Sequence, residues 1–262
     1  MKSSNPVLTG RGFTEGGGTS QQPRDLTAAQ LETMYARPSA GPARTGRMTM
    51  GDVVARTATT LGTVVLGVLL GWFALPERYG LAIGAAVIAF VLAMVQSFKR
   101  TPSPALIIGY ALFEGVFLGV LSRTYNEAWQ GAPVQAVLGT VAVFCGMLLA
   151  YRTRLIRVTA RYRRIGLAVS VAFLIAIVVN LLFSAFGGGD TLGIHTGGLG
   201  IAFCALGILL GAFFLSLDFQ QVEDGIRHGV PQQRAWLAAF GLTLSLVWIY
   251  LELLRLISIL RD

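Results

Sequence analysis

The residues of this sequence that could do chemistry are charged side chains within long apolar stretches. Glu114 lies in the middle of the stretch 104–122, Glu252 and Arg255 lie in the last stretch, and Asp218 follows the sixth. A carboxylate at the centre of a bilayer costs about 2.5–3.5 kcal/mol on insertion scales, so it needs a partner or a hydrated cavity. Carboxylates that converge in low dielectric can share a proton and, once deprotonated, bind a hard cation such as Ca²⁺. We therefore expect an ion or proton pathway.

A polar stripe is predicted along the last apolar stretch. Ser245, Trp248, Glu252 and Arg255 recur at spacings of three, four and three, which places them on one face of a helix. Such a stripe should face the interior of a helix bundle. Glu252 and Arg255 either pair with each other or contribute to the pathway. Glu114 has no oppositely charged neighbour in its own stretch, so it is either a pathway residue facing this stripe or a packing residue.

Several enzyme classes are excluded by absent motifs. The only two histidines, His195 and His228, fall between the apolar stretches, and the sequence contains no HExxH, CxxC or phosphate-binding glycine loop. Cys145 and Cys204 lie within apolar stretches and indicate no disulfide framework. We expect no enzyme, no cofactor and no fixed metal site, with Ca²⁺ binding only transiently at Asp218 or Glu114.

Composition indicates an integral membrane protein. Of 262 residues, 54% are hydrophobic and 13% are charged, against about 25% charged in an average soluble domain. The net charge of +8 comes from arginines in the segments beside apolar stretches. There it reports membrane orientation rather than nucleic-acid binding.

The elements that must position these residues are seven apolar runs, each too long for a strand and without period-two alternation. We predict an all-α protein with one transmembrane domain, 52–262, after a disordered cytosolic tail, 1–51, that is too polar to form a core. The predicted helices span about 54–74, 80–98, 104–122, 133–151, 165–186, 197–217 and 235–260.

Orientation follows from the distribution of positive charge. Seventeen lysines and arginines lie in the segment up to Arg56 and in the even-numbered connections, whereas three lie in the odd-numbered connections and at the C-terminus. This asymmetry predicts a cytoplasmic N-terminus, and seven crossings then put the C-terminus outside. The alternative for the last run is a bent or re-entrant hairpin around Gly241.

The C-terminal third resembles a known family. GAFFLSLDFQQVEDGI, a short polar segment and a helix closing on ELLRLISIL resemble the transmembrane Bax inhibitor motif family, including its bacterial YccA-like members. The resemblance covers roughly residues 50–260, includes EGVFLG in the third helix, and with the long tail looks like an actinobacterial-type branch. It implies two helical triplets around a central last helix in a bacterial plasma membrane.

The resemblance also implies site residues. Family members carry one aspartate near the end of the sixth helix and a second in the seventh. Asp218 matches the first, whereas Ser245 stands in the place of the second. Either Glu114 or Glu252 supplies the second carboxylate, or the pH-sensing latch is absent.

Lys99 and Arg100 stand where the family places basic residues near that latch. The leading hypothesis is a pH-sensitive cation (Ca²⁺) leak pathway, whose partners are the lipid bilayer, Ca²⁺ and protons. The alternative is a non-transporting regulator that binds another membrane protein, such as a quality-control protease.

Overall fold

Seven helices make up the part of the chain that the computed structural model describes, residues 46–75, 79–99, 101–186 and 197–261. Each is long and apolar enough to cross a membrane. The protein is therefore an all-α integral membrane protein, as predicted. The helices are α1 (Met50–Ala74), α2 (Tyr79–Phe98), α3 (Pro104–Ala128), α4 (Ala132–Arg152), α5 (Ala160–Phe186), α6 (Gly197–Arg227) and α7 (Arg234–Arg261).

The first helix begins earlier than residue 54, because Thr49 caps it. The Thr49 hydroxyl accepts from the backbone N–H of Asp52 at 3.2 Å, and the Asp52 carboxylate accepts from the Thr49 N–H at 3.0 Å. This reciprocal capping satisfies two N–H groups that an uncapped helix end would leave open. Residues 46–51, predicted as tail, thus belong to the folded unit, while residues 1–45 lie outside the described part of the chain.

The sixth helix ends later than predicted. α6 continues past residue 217 to Arg227, through a segment whose glutamines and acidic residues indicated a connection. Phe219 and Val222 are buried there, and Ile226 packs against the same cluster. Their spacing of three and four forms one apolar face, and that face keeps the segment helical.

Two triplets of helices surround α7. In the first triplet α3 packs against α1 and α2, and in the second α6 packs against α4 and α5. The last helix contacts α1, α3, α4 and α6, and its Ile249 and Leu254 are almost completely buried. It is continuous from Arg234 to Arg261, so the hairpin alternative is not what the structure adopts.

Glycine pairs set the closest helix contacts. On α1, a Cβ at Gly67 or Gly71 would collide with backbone atoms of α3, including the Cα atoms of Gly115 and Gly119. Small residues one turn apart permit this backbone approach in lipid. The Gly80/Gly84 pair of α2 instead faces open space, so that pair makes no such contact.

Candidate functional site

The interface between α6 and α7 contains two carboxylates, and each lies opposite a glycine of the facing helix. A Cβ at Gly241 of α7 would come within 2.7 Å of the Asp218 Oδ1 of α6. A Cβ at Gly207 of α6 would come within 2.7 Å of the Glu252 Cδ of α7. Both carboxylates therefore occupy space that only a glycine leaves open. We call this interface the α6–α7 seam.

Asp218 is fixed to the last helix by a short hydrogen bond. The Ser245 hydroxyl donates to Asp218 Oδ2 at 2.6 Å, and Ser245 is only 7% exposed. Hydrogen bonds to an ionised acceptor are about twice as strong as neutral ones. Ser245, at the position where the resemblance implies an aspartate, therefore joins α6 to α7 as a donor rather than as a second acid.

A cavity of about 780 Å³ opens beside this bond. Asp218, Gly241, Ser245 and Trp248 line it together with residues of the α6–α7 connection. The charged groups of its lining are, besides Asp218, Arg163 of α5, Asp224 of α6 and Arg234 of α7; His228 also lines it. Neither arginine was predicted as a site residue, and Arg163 could not have been, because only the fold brings α5 to the seam.

Glu252 lies further along the same face of α7. It is 7% exposed and lies beside the thiol of Cys204 on α6. Its oxygen Oε2 is buried and has no hydrogen-bond partner among the described residues. Between the two carboxylates, the Trp248 indole N–H donates to the Gly207 carbonyl at 3.0 Å. Polar contacts thus follow one another along the seam.

The two seam carboxylates are too far apart to share a proton. Ser245, which holds Asp218, precedes Glu252 by seven residues, which is about 10 Å of helix rise at 1.5 Å per residue. Among the described residues, no group of three or more His, Cys, Asp or Glu side chains could hold a metal ion. The site therefore offers single carboxylates in sequence rather than a cluster.

Glu114 is on a different side of α7. It shares the inward face of α3 with the buried Tyr110 and Leu118. That face meets α7 where Tyr110 packs edge-on against Phe240, with ring centroids 5.3 Å apart. Phe240 precedes Ser245 by five residues and so lies about 140° away from it around a helix of 3.6 residues per turn. Tyr110, one turn before Glu114, therefore meets α7 away from the polar stripe, and among the described residues no ion pair joins Glu114 to that stripe.

Of the expected basic latch partners, Lys99 forms no ion pair with Asp218 in the described part of the chain, and Arg100 lies outside that part. Lys99 is exposed directly after α2. Within the described ranges the ion pairs are Arg123–Glu127 and Arg227–Glu223. Arg255 is half-buried near Tyr125 of α3, and Glu252 meets Cys204 rather than this arginine.

Comparison with known proteins identifies the family of this chain. A family model described as Bax inhibitor 1 like matches residues 5–262, nearly the whole chain. No curated protein matches significantly.

Proposed function

Because this chain belongs to the Bax inhibitor 1-like family, we propose that it provides a pH-sensitive leak pathway for cations, Ca²⁺ in particular, along the α6–α7 seam. The observation that carries the proposal is the Asp218–Ser245 hydrogen bond beside a cavity of about 780 Å³. A carboxylate at that place can bind a hard cation through its oxygens, and it links two helices by accepting the hydrogen bond from Ser245.

Protonation changes both properties of Asp218. The neutral acid no longer attracts a cation, and its hydrogen bond with Ser245 loses the contribution of the ionised acceptor. The seam then depends on the remaining contacts of α6 with α7, among them the bond between Trp248 and Gly207. In this mechanism acidification loosens the seam, and Asp218 acts as the latch that closes it.

The membrane orientation predicted from the distribution of lysine and arginine also indicates on which side of the membrane the cavity lies. The cavity lies at the end of the bundle where α6 passes into α7, near His228 and Arg234. We place this end at the cytoplasmic face of a bacterial plasma membrane, because the arginine-rich connection 153–159 and the N-terminus belong to the same side. Reporter fusions after Arg164 should read as cytoplasmic and fusions after Gly189 as external. The opposite pattern would overturn this orientation.

The experiment that tests the function is Ca²⁺ flux into liposomes containing the purified protein, measured across a pH series. Asp218→Asn mimics the protonated acid, so we expect high flux at neutral pH and a flattened pH profile. The matched control is Asp224→Asn, which removes a charge from the same cavity but leaves the bond to Ser245 in place. Its pH profile should stay that of the wild type.

Two results would contradict the proposal. Unchanged flux of Asp218→Asn at every pH would remove the latch role. Absence of flux through the wild-type protein at any pH would remove the leak pathway altogether and favour the regulator that binds another membrane protein.

A further inference from the structure

A second cavity, of about 990 Å³, lies between α1, α4 and α6. Its walls are apolar and include Val53 of α1, Phe144 of α4, Phe219 of α6 and Leu242 of α7. Two other lining residues, Val54 and Leu148, are 61% and 43% exposed on the outside of the bundle. The cavity is therefore a groove that continues onto the lipid-facing surface. We call it the α1–α4 groove.

Arginines lie along one end of this groove. The charged groups of its lining are four arginines and two acids: Arg152, Arg154, Arg157, Arg227, Glu223 and Asp224. Glu223 is already engaged, since Tyr151 donates to it at 2.5 Å and Arg227 pairs with it at 2.5 Å. The three arginines at the end of α4 form no ion pair within the described ranges. A surplus of positive charge thus faces the groove.

Arg154 occupies a backbone position that ordinarily belongs to glycine. Its φ of 58° is left-handed, and it is the one non-glycine residue with positive φ in the described part of the chain. Its N–H donates to the Tyr151 carbonyl at 3.0 Å, and the Leu155 N–H donates to the Ala150 carbonyl at 3.0 Å. This pair of bonds is the Schellman ending of a helix, where glycine is favoured. An arginine at this position carries a backbone cost that glycine would avoid.

The depth of these arginines suits a lipid headgroup. α4 has 21 residues, which at 1.5 Å per residue is about 31 Å, the thickness of the hydrocarbon core. Its last residue, Arg152, and the arginines that follow therefore lie at the level of the phosphates. Guanidinium groups bind phosphate oxygens in bidentate fashion, and basic pockets between membrane helices are known to bind anionic headgroups.

We propose that the α1–α4 groove binds an anionic phospholipid from the bilayer. Its phosphate lies on the arginines at the end of α4, and an acyl chain follows the apolar walls between α1 and α4. An anionic lipid is preferred to a zwitterionic one because the arginines give the groove a surplus of positive charge. It is preferred to a free anion because the open apolar wall can also bind an acyl chain. The proposal does not depend on the seam or on ion conduction.

The test is native mass spectrometry of the full chain, purified and supplied with equal amounts of phosphatidylglycerol and phosphatidylcholine. We expect the wild type to retain phosphatidylglycerol preferentially. Arg154→Gly and Arg157→Gln should each lower its retention about fivefold, the size expected for one arginine near an anionic surface. The matched control is Arg161→Gln, an exposed arginine on α5 that does not line the groove; its retention should stay that of the wild type.

Arg154→Gly also separates binding from folding. Glycine fits the left-handed position, so the unfolding temperature of the variant should be equal to or above that of the wild type while lipid retention falls. If Arg161→Gln lost as much phosphatidylglycerol as the groove variants, the lipid would be attracted by the surface charge in general, and the proposed site would be overturned. Equal retention of phosphatidylcholine, or the same rise in unfolding temperature with inorganic phosphate alone as with phosphatidylglycerol, would overturn the lipid as its occupant.

Discussion

Gly241→Ala is the substitution that tests the seam most directly. The added Cβ would lie 2.7 Å from Asp218 Oδ1, where ordinary contacts begin at 3.4 Å. The carboxylate must therefore retreat by about 0.7 Å, which is enough to take its 2.6 Å bond with Ser245 to the limit of hydrogen-bond geometry. We expect the variant to weaken the latch without removing its charge.

The change that Gly241→Ala causes in the free energy of unfolding is the difference between two opposing effects. A hydrogen bond to a charged group contributes about 1.5–3 kcal/mol, whereas alanine is favoured over glycine within a helix by about 1 kcal/mol. The free energy of unfolding should then fall by about 1 kcal/mol. The gain from alanine is common to the closed and open states, whereas the weakened bond affects the closed state alone, so flux at neutral pH should rise about tenfold.

The assay is Ca²⁺ flux into liposomes, together with thermal unfolding in detergent. Gly146→Ala on α4 is the matched control, because nothing lies within 4 Å of its added Cβ; it should leave flux unchanged. The double variant Gly241→Ala with Asp218→Asn should conduct no more than Asp218→Asn alone, since both act on one bond. Additive increases in flux, or equal flux in Gly241→Ala and Gly146→Ala, would refute the reasoning.

The remaining predictions concern packing and Glu114. Gly71→Ala should lower the free energy of unfolding by about 3 kcal/mol, because the added Cβ would collide with the backbone of α3. Gly62→Ala is the control and should not lower it, since nothing lies within 4 Å of its added Cβ. Equal unfolding temperatures of the two variants would contradict this prediction. Thr60 and Thr243 share a buried 2.9 Å hydrogen bond between α1 and α7. A double-mutant cycle in which each threonine is replaced by valine should therefore give a coupling energy of about 0.6 kcal/mol. A coupling energy of zero would argue against the bond. Glu114→Gln should leave flux and its pH profile unchanged, since Glu114 lies away from the seam; constitutive or lost flux would restore it to the pathway.

The number of helices could be predicted from hydropathy and their order around α7 from the family resemblance, whereas the extension of α6 to Arg227 could not. The contact of Asp218 with Ser245 could be anticipated, because both positions were identified through one motif. The presence of a glycine opposite each carboxylate could not be predicted from the sequence. Gly241 stood out in the sequence only as a possible bend, although its role is to leave room for Asp218.

The position of Glu114 shows why helix faces are hard to predict in a membrane protein. Lipid-facing and core-facing side chains have the same apolar chemistry, so periodicity does not separate them. On α4, for example, Leu138 and Leu149 are 65% and 64% exposed, yet Ala136 is completely buried. The polar stripe of α7 could be recognised, but the rotation of α3 relative to it depends on packing that hydropathy does not encode.

The two seam carboxylates differ in what each can control. Asp218 and Trp248 both border the cavity, whereas Glu252 is not part of its lining. The Trp248 indole is bonded to the Gly207 carbonyl, and Glu252 lies behind it with no hydrogen-bond partner for Oε2 among the described residues. In the proposed pathway, release of Asp218 loosens the seam only at the cavity, where Trp248 still blocks the way to Glu252. Conduction through the whole bundle then requires the indole to leave Gly207, after which the buried carboxylate of Glu252 is the next oxygen ligand along the seam. In this proposal Asp218 determines when the seam opens, and the contact between Trp248 and Gly207 determines how fast it conducts.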